Sequence, residues 1–156
     1  MKKAPIIVSA CLVGKRCRYN GEDRAHAGVM RFLRNKKVLA VCPEKLAGWG
    51  VPRPPVEFHG GGARKVAAGE ARIVDDRGRN RTLSLMKGVT RALNRAVSLR
   101  ATEAVLKEKS PSCSVTQVYR EGKLTRGAGM FATALRRRGI QVRSEENFAG
   151  AATKQR

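Results

Sequence analysis

Aromatic side chains are scarce in this chain, 4% of 156 residues. The core must therefore be built from Val, Leu, Ile and Ala, and a stacking platform for single-stranded nucleic acid is disfavoured. Acidic residues are short as well: 12 Asp and Glu stand against 33 Lys and Arg, a formal net charge of +21. Such an excess repels itself unless a polyanion or salt offsets it, so nucleic acid is the first partner to consider. The cations gather in clusters such as Arg31/Arg34/Lys36/Lys37, Arg77/Arg79/Arg81, Arg91/Arg95 and Arg136/Arg137/Arg138. Spread of this kind is equally what a solvated surface looks like. No apolar run is long enough to cross a bilayer. Met1-Lys2-Lys3 followed by apolar Pro5 to Ala10 imitates a secretory signal, but the stretch is at the short end of the usual h-region of about 7–15 residues. It reads instead as a buried first strand, and a soluble, cytoplasmic protein is expected. Internal repeats and long linkers are missing too, which favours one domain.

What is present is an alternation of apolar runs and amphipathic stretches. Residues 5–10 make a short strand, and Val38 to Val41 a second that ends at Cys42-Pro43-Glu44, where proline cannot continue a central ladder. Ala104-Val105-Leu106 is a third and Ile140-Gln141-Val142 a last. Between them, Ala25 to Lys37 carries Val29, Phe32 and Leu33 at helical spacing. Thr82 to Arg100 puts Leu85, Met86, Val89, Leu93, Ala96 and Val97 on one face, with Thr82 as N-cap. Met130 to Arg138 is helical and stops at Gly139. The proline- and glycine-rich stretch from Gly48 to Gly62 reads as a structured loop. Lys65 to Asp76 reads as a hairpin or extended excursion, and Thr116 to Leu124 as a small hairpin turning at Glu121-Gly122. Strands alternating with helices imply parallel pairing with right-handed crossovers. The expected fold is α/β: a single-domain open, mainly parallel sheet with helices on both faces, Rossmann-like and three-layered, plus a small hairpin excursion. It spans residues 1–147, and 148–156 form a loose basic tail.

Four cysteines in a reducing compartment read better as metal-binding or catalytic than as disulfides. Cys11 follows the first strand and Cys42 the second, and Cys113 lies seven residues beyond Leu106 at the end of the third. The carboxyl ends of parallel strands gather on one edge, where ligands bind, so these three thiols are expected to converge. A buried free cysteine is commonly just a small hydrophobe, yet three at corresponding strand ends, each within two residues of Pro, Gly or Ser, point elsewhere. No C-x-x-C occurs, which disfavours a structural zinc site. An iron–sulfur cluster tolerates scattered ligands, and three thiolates would leave one iron open. Cys17 could complete the ligand set, act as a nearby thiol or be incidental. Glu44 would sit beside the centre, where burial would suit it to acid/base work. Ser110 and Ser112 offer hydroxyls near Cys113, and Lys107 and Lys109 could attract an anion there.

The motifs "SACLVGKRCRYNG", "VCPE", "PRPPVE", "KEKSPSC" and "GAGMFATALRRRGIQVRSEEN" occur in order from about Ile6 to Asn147. Together they resemble a small bacterial domain family whose studied members are thiouracil desulfurases. The resemblance implies an oxygen-sensitive [4Fe-4S] cluster held by Cys11, Cys42 and Cys113, with a nucleobase site next to the open iron. It makes Glu44 a proton-transfer residue and Ser110 and Ser112 groups that position or polarise the substrate. The implied reaction is non-redox: the open iron takes the thiocarbonyl sulfur, water replaces it at carbon, and sulfide leaves. Two places depart from the family pattern: Ser114 stands where a glycine is expected, and Gly48-Trp49-Gly50-Val51 precedes "PRPP". The expected function is desulfuration of a thiolated uracil as base, as nucleoside, or within tRNA, whose phosphates Lys15/Arg16/Arg18 and Arg136 to Arg138 would hold. A non-catalytic RNA-binding domain with a structural metal or reduced cysteines is the alternative, and a thiol redox enzyme using Cys11 and Cys17 a third.

Overall fold

The computed structural model describes residues 3–148. Its strands in chain order are β1 (Ile6–Ser9), β2 (Val38–Val41), β3 (Val56–His59), β4 (Arg72–Asp75), β5 (Glu103–Leu106), β6 (Gln117–Arg120), β7 (Lys123–Arg126) and β8 (Gln141–Ser144). Its helices are α1 (Ala27–Leu33), α2 (Pro43–Leu46), α3 (Ala63–Ala67), α4 (Thr82–Ser98) and α5 (Met130–Arg137), and a 3₁₀ turn follows β1 over Ala10–Val13. The principal sheet has the order β2-β1-β5-β8, with every pair parallel. Ile7 lies opposite both Leu39 and Ala104, and Leu106 opposite Ser144.

All four residues of β1 are buried, as a parallel sheet covered on both faces requires. The alternation of a strand sends them to two cores. Ile6 and Val8 meet Leu12, Val29 and Leu33 beneath α1, while Ile7 joins Leu85, Val89, Phe131 and Leu135 beneath α4 and α5. Helices therefore cover both faces, as expected from the alternation of strands and helices.

A second four-stranded sheet, β4-β3-β6-β7, shares the core of α4 and α5 through Val56, Phe58, Ile73 and Val118. Its pairing is mixed: β3 with β4 and β6 with β7 are antiparallel, and β3 with β6 is parallel through Phe58 and Arg120. The hairpin expected near Glu121-Gly122 is β6–β7, so the excursion is half of a sheet. Its other half lies where none was expected. The Gly48–Gly62 loop contains β3, whose Val56 and Phe58 are buried on one face, and the Lys65–Asp76 excursion is α3 followed by β4. Thr82 is the first residue of α4 and not its cap; Arg81 holds that place, and the Thr82 hydroxyl accepts from the Ile73 N–H at 2.9 Å. Phe148, expected in the loose tail, lies 4.9 Å ring to ring from Phe32. The tail from 149 to 156 lies outside the described residues.

Two glycines set the distance between helices and the loops that build the site. Gly88 of α4 faces α2 so closely that a Cβ would overlap the Pro43 carbonyl and stand 2.7 Å from the Ala47 nitrogen. Gly129, before α5, lies where a Cβ would be 2.5 Å from the Ser112 carbonyl carbon and oxygen. Both contacts are backbone against backbone, so no rotamer change relieves them.

Candidate functional site

Pro43 explains how the second cysteine is presented. Lacking an N–H, it cannot extend β2, and its fixed φ starts a helix instead; α2 begins there with Cys42 as N-cap. Glu44 is thereby one residue into the helix, beside the strand end. Pro111 turns the chain after β5, and the first amides of α5 hold the result: Met130 N–H donates to the Pro111 carbonyl at 3.0 Å and Phe131 N–H to the Ser112 carbonyl at 2.7 Å. Cys11 sits in the 3₁₀ turn directly after β1.

These three segments open on one cavity of about 870 Å³ at the carboxyl ends of β1, β2 and β5. Cys11, Cys42 and Cys113 all line it, as do Glu44, Ser110 and Ser112. Cys17 lines it as well, buried between the first two. Its thiol interacts with those of Cys11 and Cys42, and its carbonyl accepts from the Cys42 thiol at 3.8 Å. The Cys17 hydrogen bond holds Cys42 down to about 7 against the opposing effect of burial, with help from a backbone N–H at Lys45. The same donor lowers Cys11, again against burial, and the charges of Arg18 and Lys107 assist. Cys17, buried against both of these thiols, is pushed far up. Burial pushes Cys113 up. Among the described residues no three Cys, His, Asp or Glu side chains form a site for a single metal ion.

Glu44 is buried as expected, but with a counter-charge that sequence reasoning missed. Arg53 places Nε 2.9 Å and Nη2 2.7 Å from Glu44 Oε1. The other carboxylate oxygen, Oε2, accepts from Ser112 Oγ at 3.3 Å, and Ser112 Oγ is 3.1 Å from Ser110 Oγ. Ser110 Oγ in turn accepts from the N–H groups of Ser112 and Cys113 at 3.2 and 3.1 Å. A continuous line of hydroxyls thus runs from Ser110 through Ser112 to Glu44 along one wall, and Ser112 Oγ is 3.9 Å from Cys113 Sγ. Lys107 and Lys109 both line the cavity. Lys107 already has a carboxylate, Glu145 Oε2, at 3.2 Å.

Glu108 was also missed. It is 1% exposed, and its Oε1 accepts from the N–H groups of Val115, Thr116 and Gln117 at 3.0, 2.8 and 3.0 Å, and from the Ser114 hydroxyl. Ser114, the departure from the family pattern, is thus fully buried and joined to the carboxylate that folds the loop after Cys113. Arg53 and Glu108 lie within the motifs "PRPPVE" and "KEKSPSC", but a charge in a proline-rich loop or a lysine-rich turn does not by itself show what it will pair with.

A family description, 2-thiouracil desulfurase, matches residues 6–147. The uncharacterized protein YbbK of Bacillus subtilis strain 168 is 38% identical over 146 residues, covering 92% of this chain and 97% of that protein. A solved structure described as the [4Fe-4S]-dependent thiouracil desulfidase TudS superposes with a TM-score of 0.79 at 35% identity, covering 93% of each chain. The match takes in every cavity-lining residue but Phe148, and the chain belongs to the 2-thiouracil desulfurase family.

Proposed function

We propose that this protein is an enzyme that removes sulfur from a thiolated uracil, with a [4Fe-4S] cluster held by Cys11, Cys42 and Cys113. The observation that carries the reading is the meeting of these three strand-end thiols in one cavity beside the Ser110–Ser112–Glu44 line. The donor set fits the group: soft sulfur ligands select iron–sulfur clusters, zinc or copper(I). When bound, the cluster supplies a thiophilic Lewis acid that takes up the substrate's sulfur and needs no net electron.

The rest is done by the protein. Water adds its oxygen to the carbon that bore sulfur, the C–S bond breaks, and the sum is thiocarbonyl plus water giving carbonyl plus hydrogen sulfide. Glu44 Oε2 takes one proton from that water as oxygen bonds to carbon and a second as the carbonyl forms, and the Ser112 and Ser110 hydroxyls orient the ring and pass both to the departing sulfur, which leaves as hydrogen sulfide. Free base, nucleoside and thiouridine within tRNA all present the same reacting atoms. The charge supports the RNA-borne form: Lys15, Arg16 and Arg136 to Arg138 are exposed, and among the described residues none of them forms an ion pair.

The test is anaerobic purification followed by sulfide measurement with 2-thiouracil, 4-thiouracil and thiolated tRNA. Brown protein with about four irons per chain and sulfide release from at least one substrate is expected. A colourless, zinc-loaded protein that binds RNA and releases no sulfide would establish the alternative, a binding domain.

A further inference from the structure

Arg53 is placed as few surface arginines are. Its side chain is 7% exposed and reaches three separate segments. Nε and Nη2 both address Glu44 Oε1, Nη2 also donates to the Cys17 carbonyl at 2.7 Å, and Nη1 donates to the Gly50 carbonyl at 3.1 Å. Its own backbone N–H donates to the Tyr19 carbonyl at 2.7 Å. A planar guanidinium with fixed donors holds such an arrangement, whereas an ammonium on a flexible stem cannot address all three directions together.

We infer that Arg53 is the positioning residue for Glu44: by occupying Oε1 with two donors it leaves Oε2 as the oxygen that exchanges protons with Ser112. The inference rests on the reading that Glu44 transfers a proton in desulfuration. Without Arg53 the carboxyl can rotate about its last bond and present either oxygen, and the 3.3 Å approach to Ser112 is no longer enforced. Displacements of about 1 Å at a reacting group cost on the order of a hundredfold in turnover. The tie to the Cys17 carbonyl makes the same residue fix the loop that carries the fourth thiol relative to α2.

The experiment compares Glu44→Gln, Arg53→Ala, Arg53→Lys and the double variant Glu44→Gln/Arg53→Ala as iron-loaded protein on a thiouracil that the parent desulfurates, with iron content and thermal melts measured in parallel. Arg53→Ala should lower kcat on the order of a hundredfold with KM little changed, and added guanidinium at sub-denaturing concentration should restore part of it. Arg53→Lys should remain close to Arg53→Ala. In the Glu44→Gln background the second substitution should cost nothing further, because Arg53 acts through a group already removed. A readout independent of turnover is the infrared carboxylate stretch assigned by its loss in Glu44→Gln, which should move in Arg53→Lys even without iron. If Glu44→Gln keeps parental turnover, the proton-transfer reading falls and this inference with it. If Glu44→Gln is inactive but Arg53→Lys turns over like the parent with an unmoved band, or the two losses multiply, the inference alone is overturned. Should Arg53→Ala fail to fold, the Arg53→Lys comparison decides.

Discussion

Replacing Glu108 by glutamine removes one charge from a buried site and changes almost no volume. The carboxylate draws its stability from three backbone N–H groups and the Ser114 hydroxyl, all on Oε1. Burial opposes ionisation, but the hydrogen bonds from Ser114, Thr116 and Gln117 prevail and hold the group down to about 2. Against the ordinary value of 4.5 that depression is worth about 3 kcal/mol of folding stability at neutral pH. A count of bonds gives the same order: four charge-assisted hydrogen bonds each exceed neutral ones by about 1 kcal/mol, and burial of the charge takes back part of the sum. The amide nitrogen of glutamine would take the place of Oε2, which is buried without a hydrogen-bond partner, so the variant gains nothing there. Because the folded value lies below the unfolded one, this stability is fully present above about pH 4.5 and is lost as pH falls towards about 2. Urea unfolding of parent and Glu108→Gln across this range should therefore give curves about 3 kcal/mol apart at pH 7 that converge in acid. Native-state hydrogen exchange should show the amides of residues 115–117 losing protection first. A separation below about 0.5 kcal/mol at pH 7, or one that does not shrink in acid, refutes the reasoning.

The thiols give the most direct check of the metal reading: Cys11→Ala, Cys42→Ala and Cys113→Ala should each lose the cluster by iron assay and visible absorbance, while Cys17→Ala should keep it. Full iron in any of the first three would remove that residue from the ligand set. Gly88→Ala should destabilise by at least about 1–3 kcal/mol in urea titration, as overpacking against α2 does, and a melt equal to the parent's would show that the helices separate freely. If RNA is the carrier of the substrate, log affinity should fall linearly with log salt, by about 0.7 per phosphate contacted on a single strand. A flat response points to a free base or nucleoside.

Much of the principal sheet was legible from the chain. The runs Ile6 to Val8 and Ala104 to Leu106 are buried throughout, Val38 to Val41 buries Leu39 and Val41, and α4 and α5 are long enough to show a helical period. Cys11, Cys42 and Cys113 were legible because each follows one of those runs. The second sheet was not: Val56 and Phe58 of β3 are only two inward positions between prolines and glycines, too few to show an alternation. Helices α2 and α3 have 4 and 5 residues, little more than one turn, and a period cannot be seen in so short a window. Arg53 and Glu108 were hidden for another reason. What each does depends on partners that the fold brings to it, Arg53 on Glu44 nine positions away and Glu108 on the turn of residues 114–117, and before folding both look like ordinary surface charges.

The close approaches at Gly88 and Gly129 bear on how this cavity could be redesigned. Both of its sides are anchored by main chain resting on main chain, so the positions of α2 and of the Ser112 loop depend on two missing methyl groups more than on the side chains around them. An engineer could exchange the apolar filling of either core for others of similar volume, or recolour the entire exterior, and still leave those supports where they are. The freedom to alter what the cavity admits accordingly lies with its exposed lining residues Tyr19, Lys109 and Tyr119, which can be varied without disturbing the foundations beneath it.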